Sequence, residues 1–355
     1  MAIYRIYPEK DSFIWSLPND AGKYGNAGRD EILEIGGFPD SGSTGRTNRA
    51  LIQFRTKDIT AAFDDKISGL FSASIHLSLA EAGNLPTDFK IEQFPISQSW
   101  TQGVGKRFDS PTNYSGCTWQ YRNAEQTDAW TTLGGDTIAI SGSTVISSSQ
   151  NHDLTSDYDI NIDVTNAVDL ISSSSISNNG FLLKIEDKYE ANTTSSINLK
   201  YFGSDTNTIF PPYLEFKWDD TVYSSSLSEL STDVATINIK NSKPQYLDSD
   251  IVRFRLTARP KYPTRTFTTS SVYLTEHKLP ATSYWGIKDE FSGEMIVDFD
   301  TTYTKISADD TSSYLDVYMD TLQPERFYRL LIKTTLNNST FVLDNKNIFK
   351  VVRHG

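Results

Sequence analysis

The chain has 355 residues and a formal net charge of −12, and this length corresponds to about two or three domains. An acidic chain repels phosphate backbones and anionic lipid headgroups, which argues against nucleic-acid binding and against electrostatic attachment to a membrane. Its single cysteine cannot form an internal disulfide bond.

The N-terminal sequence MAIYRIYPEKDSFIW contains no apolar core of signal-peptide length, and no later run is long enough to span a bilayer. We therefore expect a protein made in the cytoplasm, without a signal peptide or a transmembrane segment. Aromatic residues are frequent, with 19 Phe, 18 Tyr and 6 Trp, and small polar residues are abundant. This composition favours many short β-strands joined by turns.

The first region of the chain contains segments in which apolar and polar residues alternate with the period of two that is typical of half-buried strands. Residues 67–82 show this pattern, whereas residues 49–55 are predicted to be a core strand, with Leu51 and Gln53 facing away from Ala50, Ile52 and Phe54. Short helices are predicted at 58–63 and after residue 163. The predicted strands cover residues 3–8, 12–17, 31–37, 49–55, 67–82, 89–96, 157–163, 180–190, 196–204 and 213–218, with a hairpin at 137–150.

The second region follows a serine-rich segment, YSSSLSELS, and residues 221–240 are predicted to be a linker. Short strands separated by turn signals then recur at the spacing of a β-sandwich. These strands cover residues 251–258, 282–289, 295–300, 313–320, 326–334 and 347–353. The sequence thus predicts an all-β protein with one domain at 1–220 and a smaller one at 241–355.

A long segment at residues 99–136 shows neither strand alternation nor helical spacing. Loops of this length are usually functional or disordered, and the aromatic content of this one argues against disorder. Its aromatic side chains have three interpretations: they fill the end of the sandwich or cover an edge strand, they contact another subunit, or they stack on sugar rings. Of the last two, we expect the protein contact. The candidate interface or glycan contacts are Trp100, Lys106, Arg107, Trp119, Tyr121 and Trp130.

Several local features follow one another along the first region. They are, in chain order, a Gly/Asn-rich stretch leading to EILEIGG, the strand RALIQF, the apolar strand at 73–79, Trp100, Trp130 before Gly134-Gly135-Asp136, Ile162-Asp163-Val164-Thr165, Gly180-Phe181 and Pro211-Pro212-Tyr213-Leu214. In this order, over about residues 10–218, the chain resembles the DNRLRE domain, a jelly-roll β-sandwich related to carbohydrate-binding modules. The resemblance implies a jelly roll and leaves open a structural calcium ion, which such modules often hold. Residues 116–122 depart from the secreted members, so a sugar-binding role does not carry over.

The second region contains Leu322-Gln323-Pro324-Glu325-Arg326-Phe327-Tyr328. This run resembles the L-x-P-x-x-x-Y signature of fibronectin-type and other immunoglobulin-like sandwiches. The resemblance implies that the Tyr328 hydroxyl bonds to the backbone upstream. The alternative is an ordinary half-buried strand tyrosine.

The whole chain, with its passages PTRTFTTSS, LPATSYWGIKD, DFDTTYTKIS and PERFYRLLIK, is similar to virion proteins of contractile-tailed phages that infect marine cyanobacteria. Such proteins pair a DNRLRE-like jelly roll with a smaller immunoglobulin-like β-sandwich. The resemblance implies a structural part of the particle, in the tail, baseplate, neck or head surface. Its expected partners are other virion proteins and copies of itself.

No arrangement of a nucleophile and a base stands out in the sequence. The four histidines, His76, His152, His277 and His354, fall in separate segments, and no G-x-S-x-G elbow is present. A glycosidase would need two facing carboxylates, and no carboxylate stands out from the 45 acidic residues. We therefore expect the chain not to be an enzyme.

Two short runs partly match known ligand-binding motifs, one a phosphate loop and the other a calcium loop. The run Gly103-Val104-Gly105-Lys106 lacks the first glycine of a phosphate loop, and Arg107 stands where that motif has Ser or Thr. Residues 157–163 carry Asp or Asn at every second position but lack the glycine and glutamate of a calcium loop, so they are predicted to be one polar face of a strand. No cofactor is predicted.

These observations predict a non-enzymatic structural component of a virion that acts through protein–protein contacts. The alternative is a carbohydrate-binding module that meets the host surface. A hydrolase is the least favoured hypothesis.

Overall fold

The structure, a computed structural model, describes residues 3–16, 25–39, 46–190, 196–240, 242–263 and 275–354. Within these residues β-strands dominate, which confirms the predicted all-β class. The chain forms two compact units. The N-terminal unit comprises Ile6–Lys66 and Ser72–Phe216, and the C-terminal unit comprises Met1–Arg5, Ile67–Phe71 and Lys217–Gly355.

Strand β1 (Ile3–Ile6) crosses the division between the units near its end. The helices that follow are α1 (Thr56–Asp65), α2 (Thr165–Ser172) and α3 (Asp187–Glu190). The remaining strands of this part of the chain are β2 (Pro8–Trp15), β3 (Ile32–Phe38), β4 (Arg46–Phe54), β5 (Phe71–Leu77), β6 (Leu79–Gly83), β7 (Asp88–Pro95), β8 (Ile140–Ser141), β9 (Thr144–Val145), β10 (Ser148–Asp153), β11 (Ile160–Asp163), β12 (Phe181–Ile185), β13 (Ile197–Phe202) and β14 (Tyr213–Trp218).

These strands form two larger sheets and one small hairpin. A four-stranded sheet has the order β1-β14-β5-β11, and an eight-stranded sheet has the order β10-β7-β12-β4-β3-β13-β6, with β2 also paired to β4. The predicted hairpin at 137–150 is present in short form as β8 and β9. In β5, Ala73, Ile75 and Leu77 are buried and alternate with partly exposed residues, so one face of the four-stranded sheet is buried.

Strand β4, which was predicted to be a core strand, is buried on both faces. Leu51 lies directly opposite Leu182 of β12, and both side chains are fully buried. Ala50 and Ile52, on the other face, are buried as well. A second layer of apolar side chains therefore covers the face of the eight-stranded sheet that carries Leu51.

The C-terminal unit contains two further sheets. Their strands are β15 (Ala235–Lys240), β16 (Gln245–Leu247), β17 (Ile251–Pro260), β18 (Tyr284–Asp289), β19 (Met295–Val297), β20 (Ser307–Ala308), β21 (Ser313–Tyr318), β22 (Phe327–Leu336), β23 (Ser339–Leu343) and β24 (Ile348–Val352), with a 3-10 helix at Met319–Thr321. The sheet orders are β15-β17-β21-β20 and β16-β24-β22-β18-β19, with β23 also paired to β22. Trp285, Phe254, Tyr328 and Phe349 are central to its apolar core.

The units differ from the predicted domains 1–220 and 241–355 at the start of the chain. Ile3 packs in the apolar core of the C-terminal unit, and the Tyr4 hydroxyl donates a hydrogen bond to Asp320 Oδ2 at 3.1 Å. Long-range packing of this kind leaves no trace in local alternation, so the sequence-based boundary misplaces the residues up to Arg5, whereas Ile6 belongs to the N-terminal unit as predicted.

The predicted linker at 221–240 is also corrected, because these residues belong to the C-terminal unit. Their last six form β15, in which Ile237 lies opposite Ala258 of β17. Leu230 is buried, and the Ser224 amide donates to the Ala308 carbonyl at 3.1 Å. The serine side chains here form hydrogen bonds in turns and at strand edges, so the serine-rich composition does not indicate a flexible linker.

Three smaller differences concern individual elements. The predicted strand at 67–82 is interrupted at Ser78, and its halves, β5 and β6, belong to different sheets. The end of the predicted strand at 180–190 forms the short helix α3. Leu17, the Gly/Asn-rich stretch up to residue 24 and most of PTRTFTTSS lie outside the described residues.

Candidate functional site

The long segment at residues 97–136, here called the cover loop, supplies the second layer over the eight-stranded sheet. Ile14, Leu51 and Leu182 point from one face of that sheet into a compact apolar cluster. The cover loop contributes most of the remaining side chains of this cluster. They are Trp100, Cys117 and Trp130, with Ile96 from the end of β7 and Trp119 packed against the edge.

Trp100 and Trp130 are core residues, which corrects their prediction as interface or glycan contacts. Their side chains are only 4% and 3% exposed. The Trp100 indole nitrogen donates to the Asn179 carbonyl at 2.8 Å, and that of Trp130 donates to the Thr118 carbonyl at 3.0 Å. Neither ring presents a face on which a sugar or a partner could stack.

Trp119 and Tyr121 are partly buried and lie closer to the surface. The Arg49 guanidinium lies 5.0 Å from the centre of the Trp119 ring and forms a two-point ion pair with Glu190, with both N–O distances 2.7 Å. A Cβ at Gly134 would lie 2.6 Å from the same ring, so only glycine allows this approach. The Tyr121 hydroxyl accepts a hydrogen bond from the Gln120 amide at 3.4 Å.

Arg107 is also an interior group rather than a surface contact, a second correction. Its guanidinium is 3.2 Å from Glu34 Oε2, and it lies 5.2 Å from the Trp15 ring and 5.5 Å from the Phe13 ring. Only 9% of its side chain is exposed. Lys106 is about half exposed, and its ammonium lies 3.6 Å from Glu31.

Asn26 fastens the cover loop to the rest of the N-terminal unit. Its side-chain amide donates to the carbonyls of Gln102 at 2.7 Å and Cys117 at 2.9 Å. Its oxygen accepts from the amides of Gly28 at 3.1 Å and Gly105 at 2.9 Å. Because Asn26 is 1% exposed, its four hydrogen bonds are shielded from water.

The same hydrogen bonds explain why residues 103–106 do not resemble a phosphate cradle. The Gly105 amide is bonded to Asn26, and the Lys106 amide donates to Asp109 Oδ2 at 2.8 Å. A Cβ at Gly103, where φ is +85°, would lie 1.9 Å from the Ser115 carbonyl oxygen. Glycine is therefore needed here for close backbone packing.

A different part of the cover loop is exposed, and we call Val104, Phe108 and Tyr114 the loop tip. These three side chains are 55%, 87% and 48% exposed. The Val104 amide donates to the Ser115 carbonyl at 3.3 Å, which holds the two sides of the tip together. The sequence-based prediction missed this group, although Phe108 lies between charged residues in KRFDS, a pattern that favours exposure.

The carboxylates of the acidic run at 157–163 accept hydrogen bonds from backbone amides of the N-terminal unit. Asp159 Oδ1 accepts from the Leu79 amide at 2.6 Å, and Asp163 Oδ1 accepts from the Thr165 amide at 2.8 Å. Among the described residues, no group of three or more His, Cys, Asp or Glu side chains is arranged to hold a metal ion. In the same part of the chain, no helix has the length and hydropathy to cross a membrane.

Two histidines of the N-terminal unit have distinctive surroundings. The His76 ring stacks on Tyr213, with 4.7 Å between ring centres, and its Nε2 lies 3.5 Å from Glu215 Oε1. His152 is buried and stacks on Phe89. Neither arrangement places a nucleophile in line with the ring.

Asp11 is a buried carboxylate with a titration that can be tested. Ser204 donates to it from both its amide and its hydroxyl, yet burial raises the Asp11 pKa to about 6. Because the folded protein binds the Asp11 proton more tightly than the unfolded chain does, protonation of Asp11 stabilises the fold. This stabilisation is fully present below pH 3.8, the ordinary pKa of the group, and is lost as the pH rises through about 6.

Replacement of Asp11 by Asn should therefore change stability in a pH-dependent way. At about 1.4 kcal/mol for each pKa unit, the advantage of the wild type over Asp11→Asn should fall by about 2 kcal/mol between pH 4 and pH 7. Urea unfolding of both proteins at the two pH values measures this difference. An equal difference at both pH values contradicts the prediction.

The Tyr328 hydroxyl donates to the Gln323 carbonyl at 2.8 Å, which is the upstream backbone bond that its sequence context predicts. Tyr328 is 1% exposed and packs near Phe349, with 6.0 Å between ring centres. The tyrosine thus closes the turn that precedes β22.

Comparisons with known proteins give no family. No family model matches the chain, and no curated protein matches it. Among solved structures, a β-glucuronidase of Parabacteroides merdae, with glycerol in its active site, aligns at 9% identity over 99% of this chain and 35% of that one, with a TM-score of 0.16. The chain thus spans about a third of that enzyme's length, and a TM-score of this size carries no argument about fold or function.

Proposed function

We propose that this protein is a non-enzymatic structural component of a tailed-phage virion that acts through protein–protein contacts. The observation that carries the proposal is the loop tip, an exposed apolar group on a firmly held base. We further propose that the N-terminal unit is a jelly roll and that the C-terminal unit is an immunoglobulin-like sandwich. The chain-wide resemblance to virion proteins and the Tyr328 hydrogen bond support this part of the proposal.

Among the described residues, Leu70 is the one large apolar side chain that is more exposed than Phe108. Phe108 is 87% exposed, whereas Trp100 and Trp130 of the same loop are buried. Large aromatic side chains that stay exposed in the free protein are typical anchors of protein interfaces. Asn26 holds the base of the tip in place before binding, so little conformational entropy is lost when a partner docks.

The chemistry of the tip favours a protein partner over a sugar. Val104 and Phe108 carry no polar side-chain atom, and Tyr114 contributes only one hydroxyl. Of the four aromatic residues named for the carbohydrate alternative, Trp100 and Trp130 are enclosed in the core, whereas Trp119 and Tyr121 are partly buried. We propose other virion proteins, or further copies of this chain, as the partners, and a place in the tail, baseplate, neck or head surface.

The proposal makes two separable predictions about purified phage particles. Mass spectrometry should detect the chain in particles at a constant ratio to the other structural proteins. Replacement of Phe108 by Ser should reduce incorporation of the chain into particles at least tenfold. A side chain that anchors an interface contributes about 1.4 kcal/mol or more to the free energy of binding, which is a factor of ten in affinity.

The matched control is Leu154→Ser, which alters an equally exposed apolar residue (72%) outside the cover loop. Both variants should fold as the wild type does, because neither side chain is buried. Absence of the chain from particles refutes the virion function. Normal incorporation of Phe108→Ser refutes the loop tip as the interface and leaves the virion function standing.

A further inference from the structure

His152 occupies an unusual position at the edge of the eight-stranded sheet. It lies in β10, the terminal strand of that sheet, directly opposite Phe89 of β7. The two rings stack with 5.1 Å between their centres, and the Tyr158 ring lies 6.0 Å away on the following segment. The imidazole is 1% exposed, so it acts as part of the apolar packing between β10, β7 and residues 154–159.

By strict geometry neither ring nitrogen of His152 makes a hydrogen bond among the residues that the structure describes, although the Asp157 backbone lies close enough to favour the protonated ring. A buried polar group without a partner costs free energy, and a charge at the same place costs more. The neutral ring is tolerated because it stacks on aromatic neighbours. A protonated ring would have two N–H donors and a positive charge in an apolar setting.

The charged and titratable groups near this position come from β10, β7, the segment after β10 and β13. The adjoining residue in β10 is Asp153, whose carboxylate is held by Thr155 and Ser156. From β7, Asp88 lies opposite Asp153 and Lys90 lies opposite Asn151, so both are on the other face of the sheet from His152 and Phe89. The segment after β10 contributes Asp157, Tyr158 and Asp159, and the hydroxyl of the buried Tyr201 donates to the Tyr158 carbonyl at 3.1 Å.

We propose that His152 is an acid-sensitive latch: protonation of its ring releases β10 and residues 154–159 from the edge of the eight-stranded sheet. This inference is independent of the proposed function. Release gives the ring access to water and to the carboxylates of Asp153 and Asp157, which lie at the exposed side of the same segment. The edge of β7 then loses its strand partner.

The direction of the pKa shift agrees with this geometry. Burial lowers the pKa of His152 below its ordinary value of 6.5, while the backbone and carboxylate of Asp157 and the carboxylate of Asp153 raise it by less. Because the folded pKa is lowered, the closed state is favoured at neutral pH. Its advantage is lost as the pH falls from about 6.5 towards the folded pKa.

The pH dependence of the global free energy of unfolding cannot by itself reveal the effect of His152. Asp11 binds its proton more tightly in the folded state, so acidification stabilises the fold through Asp11 while it destabilises the fold through His152. The measurement must therefore be local to β10, or must compare a His152 variant with the wild type at each pH.

The experiment is hydrogen–deuterium exchange of the full chain between pH 7.5 and 4.5, corrected for the intrinsic pH dependence of exchange. In the wild type, opening of residues 148–159 should increase about tenfold for each pH unit below 6.5 until the folded pKa is reached. In His152→Phe, which preserves the stack on Phe89, opening should not increase with acid, because the remaining partly buried carboxylate of the segment, Asp159, has a raised pKa and favours the closed state at low pH. The exposed His354, changed to Asn, is the control and should behave as the wild type.

If opening of residues 148–159 in His152→Phe increases on acidification as steeply as it does in the wild type, the proposal is overturned. A second measurement needs no variant: NMR titration of the wild-type imidazole should show protonation of His152 only below pH 6.5 and coupled to changes in β10. A ring that titrates at or above 6.5 while β10 stays closed overturns the proposal, even where His152→Phe fails to fold.

Discussion

Replacement of Trp130 by Ala should lower the free energy of unfolding of the N-terminal unit by about 4 kcal/mol, as expected when a large buried ring is removed and leaves a cavity. The ring packs with Leu51 and Leu182, and its indole nitrogen satisfies the Thr118 carbonyl. Urea unfolding followed by far-UV circular dichroism measures the change.

The matched control for Trp130→Ala is Phe108→Ala in the same loop. Phe108 is 87% exposed, so its removal should change stability by less than about 0.5 kcal/mol. A loss below 1 kcal/mol for Trp130→Ala would show that the ring is not a core residue. The two substitutions also separate core from interface, because only Phe108→Ala should impair assembly without destabilising the chain.

Replacement of Asn26 by Ala should cost about 4 kcal/mol, since it leaves the Gln102 and Cys117 carbonyls and the Gly28 and Gly105 amides without their buried partner. Each orphaned buried group costs about 1–3 kcal/mol before the loop relaxes or water enters. Hydrogen exchange across residues 101–117 should rise together with the loss of stability in urea.

Asn123→Ala is the control, because Asn123 is also an asparagine of the cover loop with several side-chain hydrogen bonds. Its bonds to Glu125, Thr127 and Asp128 are exposed, so water replaces them and the expected loss is about 1 kcal/mol. Equal losses for Asn26→Ala and Asn123→Ala would contradict the role assigned to Asn26. Failure of Asn26→Ala to loosen residues 101–117 would contradict it as well.

The regular strands were predictable because their signal is local. The predicted strand at 31–37 corresponds to β3, that at 89–96 to β7 and that at 213–218 to β14, each within one or two residues. Alternation of apolar side chains reports directly on a sheet with one buried face. The Tyr328 bond was predictable for the same reason, because its acceptor lies five residues upstream.

The cover loop shows where local information ends. Its lack of strand alternation was evident, but Trp130 and Phe108 are both aromatic residues among polar neighbours. Trp130 is buried because it meets Leu51 and Leu182, which are distant in the sequence and adjacent only through strand pairing. Strand β4 is buried on both faces for the same reason: the loop covers a face that would otherwise be exposed.

The all-β class, the approximate positions of most strands and the presence of a long aromatic loop all follow from local sequence patterns. The division of that loop's aromatic residues into core and exposed groups, and the burial of Asn26 and His152, follow instead from long-range packing. The reason is physical. Secondary structure follows from the periodicity of neighbouring residues. Burial depends on which distant strands are paired, and it is burial that sets how much a side chain contributes to the free energy of folding.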